Sequence, residues 1–278
     1  MQVQATPPAR TSLTDSVVQD PQTLMVPDPP CEDGVPLENV WHRLQINLLY
    51  DCVHQLWRGR DDFFVGGNMF VYFRADQVER LSFKGPDVFV VKDVDGRRVR
   101  PCWKAWLEGG RLPDLVVELL SESTRAEDLG RKKQIYEQTL RVREYVCFGP
   151  DPTQECTQTE LYAWRLPQPG ERYQPLVPDA RGWVWSEVLG AWLGVWEGEY
   201  GEVHTQWLRL YDQNGALVPT RAEAEYQRAE AERQRAEAER QRAEAERQRA
   251  EAAEQQLQAE RLRLAQIEAR LRELGIQL

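Results

Sequence analysis

The sequence is poor in the residues from which several common kinds of site are built. Its three histidines, His42, His54 and His204, are scattered and do not predict a histidine metal cluster, so we expect structural roles for them. The five cysteines show no paired spacing of the metal-binding type, and their odd number argues against a secreted disulfide framework. The cysteines therefore indicate a reducing environment.

Long hydrophobic runs are missing as well. No apolar run reaches the roughly 18 residues of a membrane-spanning helix, and residues 1–10 lack the apolar core of a signal peptide. We therefore expect a cytoplasmic protein. The net charge of −10 argues against a protein that coats nucleic acid without specificity, but it leaves room for a carboxylate-rich site beside a local basic patch.

The 278 residues divide into three parts of different composition. Residues 1–36 contain seven prolines and few large apolar side chains, which is typical of an extended, disordered arm. Residues 37–219 alternate helix-like and strand-like patterns and hold enough apolar residues for a core, so we expect an α/β domain there. Residues 220–278 are dominated by a charged repeat and predict one long helix.

Hydrophobic spacing predicts the order of elements within the α/β domain. Residues 37 to about 57 have helical spacing, and residues 62–65 and 69–73 predict a β-hairpin because Gly66 and Gly67 separate them. Strands are predicted at residues 86–91 and 144–148, and a helix from the capping-box sequence at Thr124 to about Leu140. Residues 158–213 predict β-hairpins with short helical pieces.

The long helix consists of two stretches with different properties. From Arg221 to about Gln248, a seven-residue repeat puts alanine and glutamate in the seam, which favours a solvated single helix supported by i,i+3 and i,i+4 charge pairs. The next stretch has coiled-coil spacing, interrupted by Glu260, with apolar residues at Leu257, Leu264, Ile267, Leu271, Leu274 and Leu278. We expect it to bind another copy of the chain or a partner helix; a solvated spacer that docks on its own domain is the alternative.

A carboxylate interrupts the most apolar of the predicted strands. Residues 115–120 form the run Leu-Val-Val-Glu-Leu-Leu, which is typical of a strand covered on both faces. Burying an unpaired carboxylate is costly, or forces the group to take up a proton. Glu118 therefore needs a compensating cation, which a metal ion or a lysine can supply.

Lys132 is the candidate lysine. It falls in the apolar stripe of the helix that follows the strand, in line with Leu129, Tyr136 and Leu140, and this position directs it toward the sheet. Two ordinary alternatives stay open. The lysine stem can lie along the apolar surface while its ammonium reaches water, or Lys132 can form only a helix salt bridge with Asp128.

Five motifs carry a family resemblance: Gly85-Pro86-Asp87-Val88, residues 113–124 around Glu118, residues 128–136, Glu144-Tyr145 with Asp151-Pro152, and residues 208–212 before the charged helix. Together they resemble the Uma-type family of restriction endonucleases, within the PD-(D/E)XK nuclease superfamily. The resemblance covers roughly residues 37–215. It implies a restriction-endonuclease-like mixed β-sheet flanked by helices, followed here by a long C-terminal coiled-coil helix.

The resemblance also implies the residues of a site. Asp87 is expected as the first metal ligand and Glu118 as the second. The superfamily's lysine usually lies two residues after that glutamate, where this sequence has Leu120. The lysine role is therefore carried over to Lys132, through the family's own arrangement of aspartate, lysine and tyrosine at intervals of four residues.

Two further residues are weaker candidates. Lys133 is the fallback for the lysine, and Glu38 on the first helix is a further acid that similar nucleases often place near the metal. The alternative for Glu38 is an ordinary acidic residue at a helix start, which the helix dipole favours.

The activity that the resemblance implies is Mg²⁺-dependent hydrolysis of DNA phosphodiester bonds by an endonuclease. Asp87, Glu118 and the main-chain carbonyl of Leu119 would bind Mg²⁺, and Lys132 would orient or help to deprotonate the attacking water. The first alternative is a non-catalytic interaction protein on the nuclease fold, multimerised by its coiled-coil tail. The second alternative is a metal-dependent hydrolase of another kind.

Overall fold

The computed structural model describes residues 39–74, 84–149, 160–168 and 170–273. The proline-rich arm, Glu38, and the last two leucines of the expected coiled-coil stripe lie outside these residues. Among the helices within the described ranges, none combines the length and the apolar content that crossing a lipid bilayer requires.

The described residues form a mixed α/β structure with one long helix at its end. The helices are α1 (Val40–Leu56), α2 (Arg125–Glu127), α3 (Lys133–Ile135) and α4 (Arg221–Glu273), with a 3-10 turn at Ala105–Leu107 and π-helical turns at Asp128–Lys132 and Tyr136–Leu140. The strands are β1 (Phe63–Gly67), β2 (Val71–Tyr72), β3 (Val88–Lys92), β4 (Trp103–Lys104), β5 (Leu115–Leu119), β6 (Glu144–Gly149), β7 (Glu160–Arg165), β8 (Gln174–Pro175), β9 (Val184–Ser186), β10 (Ala191–Tyr200) and β11 (Val203–Tyr211).

The main sheet has six strands in the order β1-β3-β5-β6-β7-β8. Strands β5 and β6 pair in parallel, and the other neighbours pair antiparallel. All five residues of β5 are buried, which confirms the prediction of a strand covered on both faces. The remaining strands form a three-stranded sheet, β11-β10-β9, and a two-stranded sheet, β2-β4.

Alternate residues of β5 point into two separate hydrophobic clusters. Leu115, Val117 and Leu119 pack in a cluster that also contains apolar residues of α1 and of β9, β10 and β11. Val116 and Leu120 pack in the other cluster, with buried residues of the helical segment at residues 125–140. Glu118 has the same parity as Val116 and Leu120, so the strand alternation directs it toward this helical segment.

The predicted hairpin between residues 62–65 and 69–73 is wrong. Gly66 and Gly67 lie inside β1, which pairs with β3, whereas β2 pairs with β4. A Cβ atom built on Gly66 would lie 2.4 Å from Cζ of Phe89. The glycine therefore permits close approach of an aromatic ring across the sheet and does not form a turn.

The predicted helix at residues 124–140 is present but has mixed geometry. Its α-helical and π-helical turns follow one another from Arg125 to Leu140. The predicted capping role of Thr124 is wrong, because its side chain makes no capping hydrogen bond and its Oγ1 instead lies 3.0 Å from Oγ of Ser121. The short helical pieces expected within residues 158–213 are also absent from the described part of that range, which holds strands and turns.

The long helix α4 is joined to the domain by an ion pair between a buried arginine and a partly exposed glutamate. Thr220 and Glu223 form a capping box, in which the Glu223 N–H donates to Oγ1 of Thr220 and the Thr220 N–H donates to Oε2 of Glu223. Nη2 of Arg209, a fully buried residue of β11, lies 2.7 Å from the same Glu223 oxygen. Residues 231–270 are exposed throughout, so the alternative in which this stretch docks on its own domain is wrong.

Candidate active site

The antiparallel pairing of β3 with β5 brings Asp87 level with Glu118. Val88 lies opposite Val117 in this ladder, and Asp87 is the residue directly before Val88. Residues that lie opposite each other in an antiparallel pair project from the same face of the sheet. The register thus brings together two carboxylates that are distant in the sequence.

Two contacts hold the carboxylate of Asp87. Its Oδ2 accepts a hydrogen bond of 2.6 Å from the Leu119 N–H, which ties the start of β3 to the end of β5. Its Oδ1 lies 2.7 Å from Nε2 of His42, a buried residue in the first turn of α1. Asn39 caps that turn by accepting a hydrogen bond from the His42 N–H. The start of α1 therefore helps to fix the orientation of Asp87.

Glu118 is fully buried, and both of its carboxylate oxygens have protein partners. Oε2 lies 3.2 Å from Nζ of Lys132, and Oε1 accepts a hydrogen bond of 2.8 Å from the hydroxyl of Tyr136. The Glu118 side chain is 0 % exposed, whereas that of Lys132 is 20 % exposed. A molecule in solution can therefore reach the lysine more easily than the glutamate.

Asp128 is the second partner of Lys132. Nζ of Lys132 lies 2.7 Å from Oδ1 of Asp128, whose side chain is buried. The main-chain carbonyl of Asp128 accepts a hydrogen bond of 2.9 Å from the hydroxyl of Tyr145 on β6, which anchors this turn to the sheet. The ammonium group thus contacts two buried carboxylates, so neither ordinary alternative for Lys132 describes its position.

The π-helical turns help to align the residues that contact Glu118. Asp128, Lys132 and Tyr136 are spaced four residues apart, and a π-helical turn spans Asp128–Lys132. An α-helix has about 3.6 residues per turn, so a wider turn brings side chains four positions apart closer to one line. Lys132 and Tyr136 therefore both reach Glu118 from the same face of the segment.

Burial and neighbouring charges shift the proton affinities of this cluster. Burial raises the pKa of the Glu118 carboxyl to about 8, because Lys132 offsets only part of the effect and the charges of Asp87 and Asp128 add to it. Burial disfavours the charged form of Lys132, but the carboxylates of Glu118 and Asp128 outweigh it and raise the pKa of the lysine well above its usual range. The ammonium group is therefore charged at neutral pH.

Further basic side chains lie around this cluster, and the two candidate lysines, Lys132 and Lys133, differ in their contacts. Burial and the charges of Arg131 and Lys132 lower the pKa of Lys84, which places three basic side chains in one electrostatic environment. Nζ of Lys133 lies 4.0 Å from the centroid of the Trp164 ring on β7. Lys133 thus contacts an aromatic ring, whereas the neighbouring Lys132 contacts Glu118.

The structure brings the three main predicted residues, Asp87, Glu118 and Lys132, into one cluster. The sequence interpretation did not include His42 or Tyr136 in the site, and it treated the contact of Asp128 with Lys132 as an alternative to a site. The four-residue spacing of Asp128, Lys132 and Tyr136 was a visible signal for two of these. No local pattern pointed to His42, which is distant from Asp87 in the sequence.

The donor atoms of the cluster suit a hard divalent cation. Across the residues that the structure describes, no group of three or more His, Cys, Asp or Glu side chains is positioned to hold a metal. Mg²⁺ usually keeps several waters and needs only one or two carboxylates from the protein. Asp87 and Glu118, on one face of the sheet, fit that requirement.

The fold and the cluster together define a mixed α/β protein with a buried carboxylate–lysine site at the central strand of its main sheet. Residues 35–196, more than half of the chain, match the model of the Uma2 family, whose description is "Putative restriction endonuclease". The chain belongs to this family, as the sequence motifs predict. No curated protein matches the chain closely enough to count as a relative.

Proposed function

We propose that this protein is a Mg²⁺-dependent endonuclease that hydrolyses DNA phosphodiester bonds. Its catalytic domain comprises residues 37–219 on a restriction-endonuclease-like core, and residues 220–278 form a separate helical tail. The observation that carries the proposal is the contact of the buried Glu118 with Lys132, level with Asp87 across the β3–β5 ladder. Membership of a family described as restriction endonucleases supports DNA as the substrate.

The metal ligands in this proposal are the carboxylates of Asp87 and Glu118 and the main-chain carbonyl of Leu119. All three are hard oxygen donors of the kind that Mg²⁺ prefers. A bound Mg²⁺ supplies Lewis-acid stabilisation of the negative charge that develops on the phosphate. The hydrogen bond from the Leu119 N–H to Asp87 keeps two of these donors next to each other before any ion binds.

Lys132 acts as a positively charged positioning group for the attacking water. Its raised pKa keeps it protonated at neutral pH, so it donates hydrogen bonds and does not serve as a general base. Asp128 holds the ammonium group at 2.7 Å on the side of the helix, and Glu118 holds it on the side of the sheet. The charge of Lys132 also stabilises negative charge near the phosphate in the transition state.

One observation favours the alternative of a non-catalytic interaction protein. Both oxygens of Glu118 already have partners, Lys132 and Tyr136, in the protein itself. A site in which these contacts persist would not release Glu118 to a metal ion. Direct measurement of metal binding therefore separates the two functions.

The test combines Mg²⁺ calorimetry with a nicking assay on supercoiled plasmid, with Mg²⁺ and with EDTA. We expect Mg²⁺ binding and Mg²⁺-dependent nicking by the natural chain. Asp87→Ala is expected to lose both, and Lys132→Ala to lose nicking by at least about a hundredfold. Lys133→Ala is the matched control and keeps nicking, because this lysine contacts Trp164.

Two outcomes contradict parts of the proposal. Metal binding without nicking supports the interaction protein or another metal-dependent hydrolase. Nicking that persists in folded Asp87→Ala or Lys132→Ala removes that residue from the mechanism. Circular dichroism of each variant shows that a loss of activity does not come from unfolding.

A further inference from the structure

Two rows of residues run along helix α4 in one unbroken heptad register. The first row has a residue at every seventh position: Ala222, Ala229, Ala236, Ala243, Ala250, Leu257, Leu264 and Leu271. The second row lies three positions after the first: Glu225, Glu232, Glu239, Glu246, Ala253, Glu260 and Ile267. This alternating spacing of three and four residues is that of a coiled-coil seam.

The character of the seam changes near Ala250. Before this point, the first row contains only alanine and the second only glutamate, which is a poor surface for binding another helix. After it, the rows contain leucine and isoleucine, and these side chains are open to solvent in the single chain. Leu257 is 50 % exposed, Leu264 is 56 % exposed and Ile267 is 48 % exposed. The far part of α4 therefore presents an apolar strip that is uncovered in the single chain.

The charges beside the seam change at the same place. In two parallel helices, a residue directly before the first row faces the residue five positions later on the other helix. Between residues 228 and 247 these facing pairs are both arginine: Arg228 with Arg233, Arg235 with Arg240, and Arg242 with Arg247. Farther along, two of the three pairs have opposite charge, Arg249 with Glu254 and Arg263 with Glu268, and the pair between them, Gln256 with Arg261, holds a single charge. Like charges oppose pairing in the near stretch, and opposite charges favour it in the far stretch.

Two antiparallel helices would not bring opposite charges together in this way. There, the positions directly before the first row face one another. In the far stretch those positions are Arg249, Gln256, Arg263 and Arg270. Three of the four are arginine, so antiparallel helices would bring like charges together. The pattern of charge therefore selects the parallel orientation.

We infer that residues 249–273 bind the same segment of a second copy of this chain, in parallel and in register. The stretch at 222–248 stays separate, because its seam brings glutamate against glutamate and its flanks bring arginine against arginine. Glu260 is the one charged residue in the far part of the seam, and a single polar position of this kind fixes the register of a coiled coil. This inference does not depend on nuclease activity.

Charge reversal in the full-length chain tests the inference. Analytical ultracentrifugation over a range of concentrations is expected to show reversible self-association of the natural chain. Arg263→Glu and Glu268→Arg each replace two attractive contacts by repulsive ones, so each is expected to weaken association about tenfold. The double variant, Arg263→Glu with Glu268→Arg, restores it. Arg242→Glu, in the near stretch, is the matched control and does not weaken association.

Cross-linking tests the orientation. In the parallel, in-register arrangement, the two copies of residue 250 face each other, so Ala250→Cys forms a disulfide-linked dimer under mild oxidation. The natural chain, treated in the same way, controls for its own cysteines. A monomer at all concentrations overturns the inference, and so does equal association of the natural chain and both single charge variants. An associated Ala250→Cys chain that does not cross-link overturns the parallel register.

Discussion

Nζ of Lys132 lies 3.2 Å from Oε2 of Glu118, so a carboxylate with no exposure to solvent has a partly accessible cation as its partner. Asp128 contacts the same ammonium group at 2.7 Å. One lysine therefore compensates two buried acids, with Asp87 nearby as a third. Such a concentration of negative charge is costly for folding, and we interpret that cost as the stability that this protein gives up for the proposed metal site.

Replacing Glu118 by glutamine is expected to stabilise the metal-free protein. Glu118→Gln keeps the shape of the side chain and removes the repulsion from Asp87 and Asp128. Because the pKa of Glu118 rises on folding to about 8 from an ordinary value of 4.5, the natural protein loses stability as the pH rises through this range. The gain of the variant therefore grows with pH and reaches on the order of 5 kcal/mol at pH 9.

Urea denaturation in EDTA at pH 5, 7 and 9 measures this effect. Glu127→Gln, an exposed acid on the same segment, is the control and should show no such trend. A Glu118→Gln variant that is less stable than the natural chain at pH 9 would show that the contacts of the ionised carboxylate outweigh its burial.

Removing the hydroxyl group of Tyr136 is expected to destabilise the domain. Tyr136→Phe deletes the donor of the 2.8 Å hydrogen bond to Oε1 of Glu118 and leaves a buried carboxylate oxygen without that partner. A buried hydrogen bond contributes about 1 kcal/mol when its acceptor is neutral and about 2 kcal/mol when it is charged, so the loss should be larger at pH 9, where Glu118 is ionised, than at pH 7. Chemical denaturation measures the loss, and Tyr226→Phe, at a residue 72 % exposed on α4, is the control that should change little. Equal effects of the two substitutions would contradict the role assigned to the hydroxyl.

Loss of the His42 imidazole is expected to weaken metal binding. Nε2 of His42 lies 2.7 Å from Oδ1 of Asp87, so His42→Ala removes one of the two contacts that hold this carboxylate and leaves the hydrogen bond from the Leu119 N–H. Residues that orient a metal ligand typically contribute about tenfold or more to affinity or activity. The Mg²⁺ concentration for half-maximal nicking should therefore rise about tenfold, while the rate at saturating Mg²⁺ falls less.

His54 provides the matched control for His42. It lies on the same helix, but its ring packs against Tyr50, 4.2 Å away between ring centroids. His54→Ala should leave the Mg²⁺ dependence of nicking unchanged. If both substitutions shift it equally, the effect comes from α1 as a whole and not from the contact with Asp87.

Neutralising Glu223 is expected to weaken the junction between the domain and α4. Glu223→Gln retains the capping-box geometry but leaves the buried Arg209 without its anionic partner. The cost is about 2 kcal/mol at pH 7, a value reduced because Glu223 is 36 % exposed. Burial raises the pKa of Glu223, but the hydrogen bonds from Arg209 and Thr220 outweigh it and lower the pKa below its ordinary 4.5. The pair therefore stabilises the protein above about pH 4.5 and loses its effect as the pH falls further.

The free energy of unfolding at pH 7 and at pH 3 tests both the cost of Glu223→Gln and its dependence on pH. The difference between Glu223→Gln and the natural chain should shrink at the lower pH. Glu225→Gln is the control, because Glu225 forms an exposed pair with Arg221 within α4. A difference that is constant with pH would exclude the ion pair as its cause.

The spacing of apolar and charged residues along the sequence predicted the helices and strands in which that spacing is regular. The apolar run around Glu118 predicted β5, and the helical spacing after Leu37 predicted α1, apart from its start at Val40. The heptad repeat predicted α4 almost to its last described residue. In these segments, the spacing of apolar or charged residues depends only on the geometry of the element itself.

Contacts between distant segments could not be predicted in the same way. The glycines of β1 suggested a turn, although Gly66 admits the ring of Phe89 from a later strand and Gly67 admits the side chain of Ile46 from α1. The π-helical turns depend on packing of residues 125–140 against the sheet, which no local spacing encodes. His42 belongs to the cluster only because α1 and β3 meet in space.

Glu223 holds the first turn of α4 against β11, and the described helix, 53 residues long in all, runs from Arg221 to Glu273 without a break. A helix of this length spans about 80 Å. Two copies paired along residues 249–273 would form a dimer in which residues 222–248 of the two helices stay apart and lead to two separate domains. In the proposed endonuclease, the two domains of such a dimer would contact one DNA molecule at two separate places, at a distance set by the angle between the two helices.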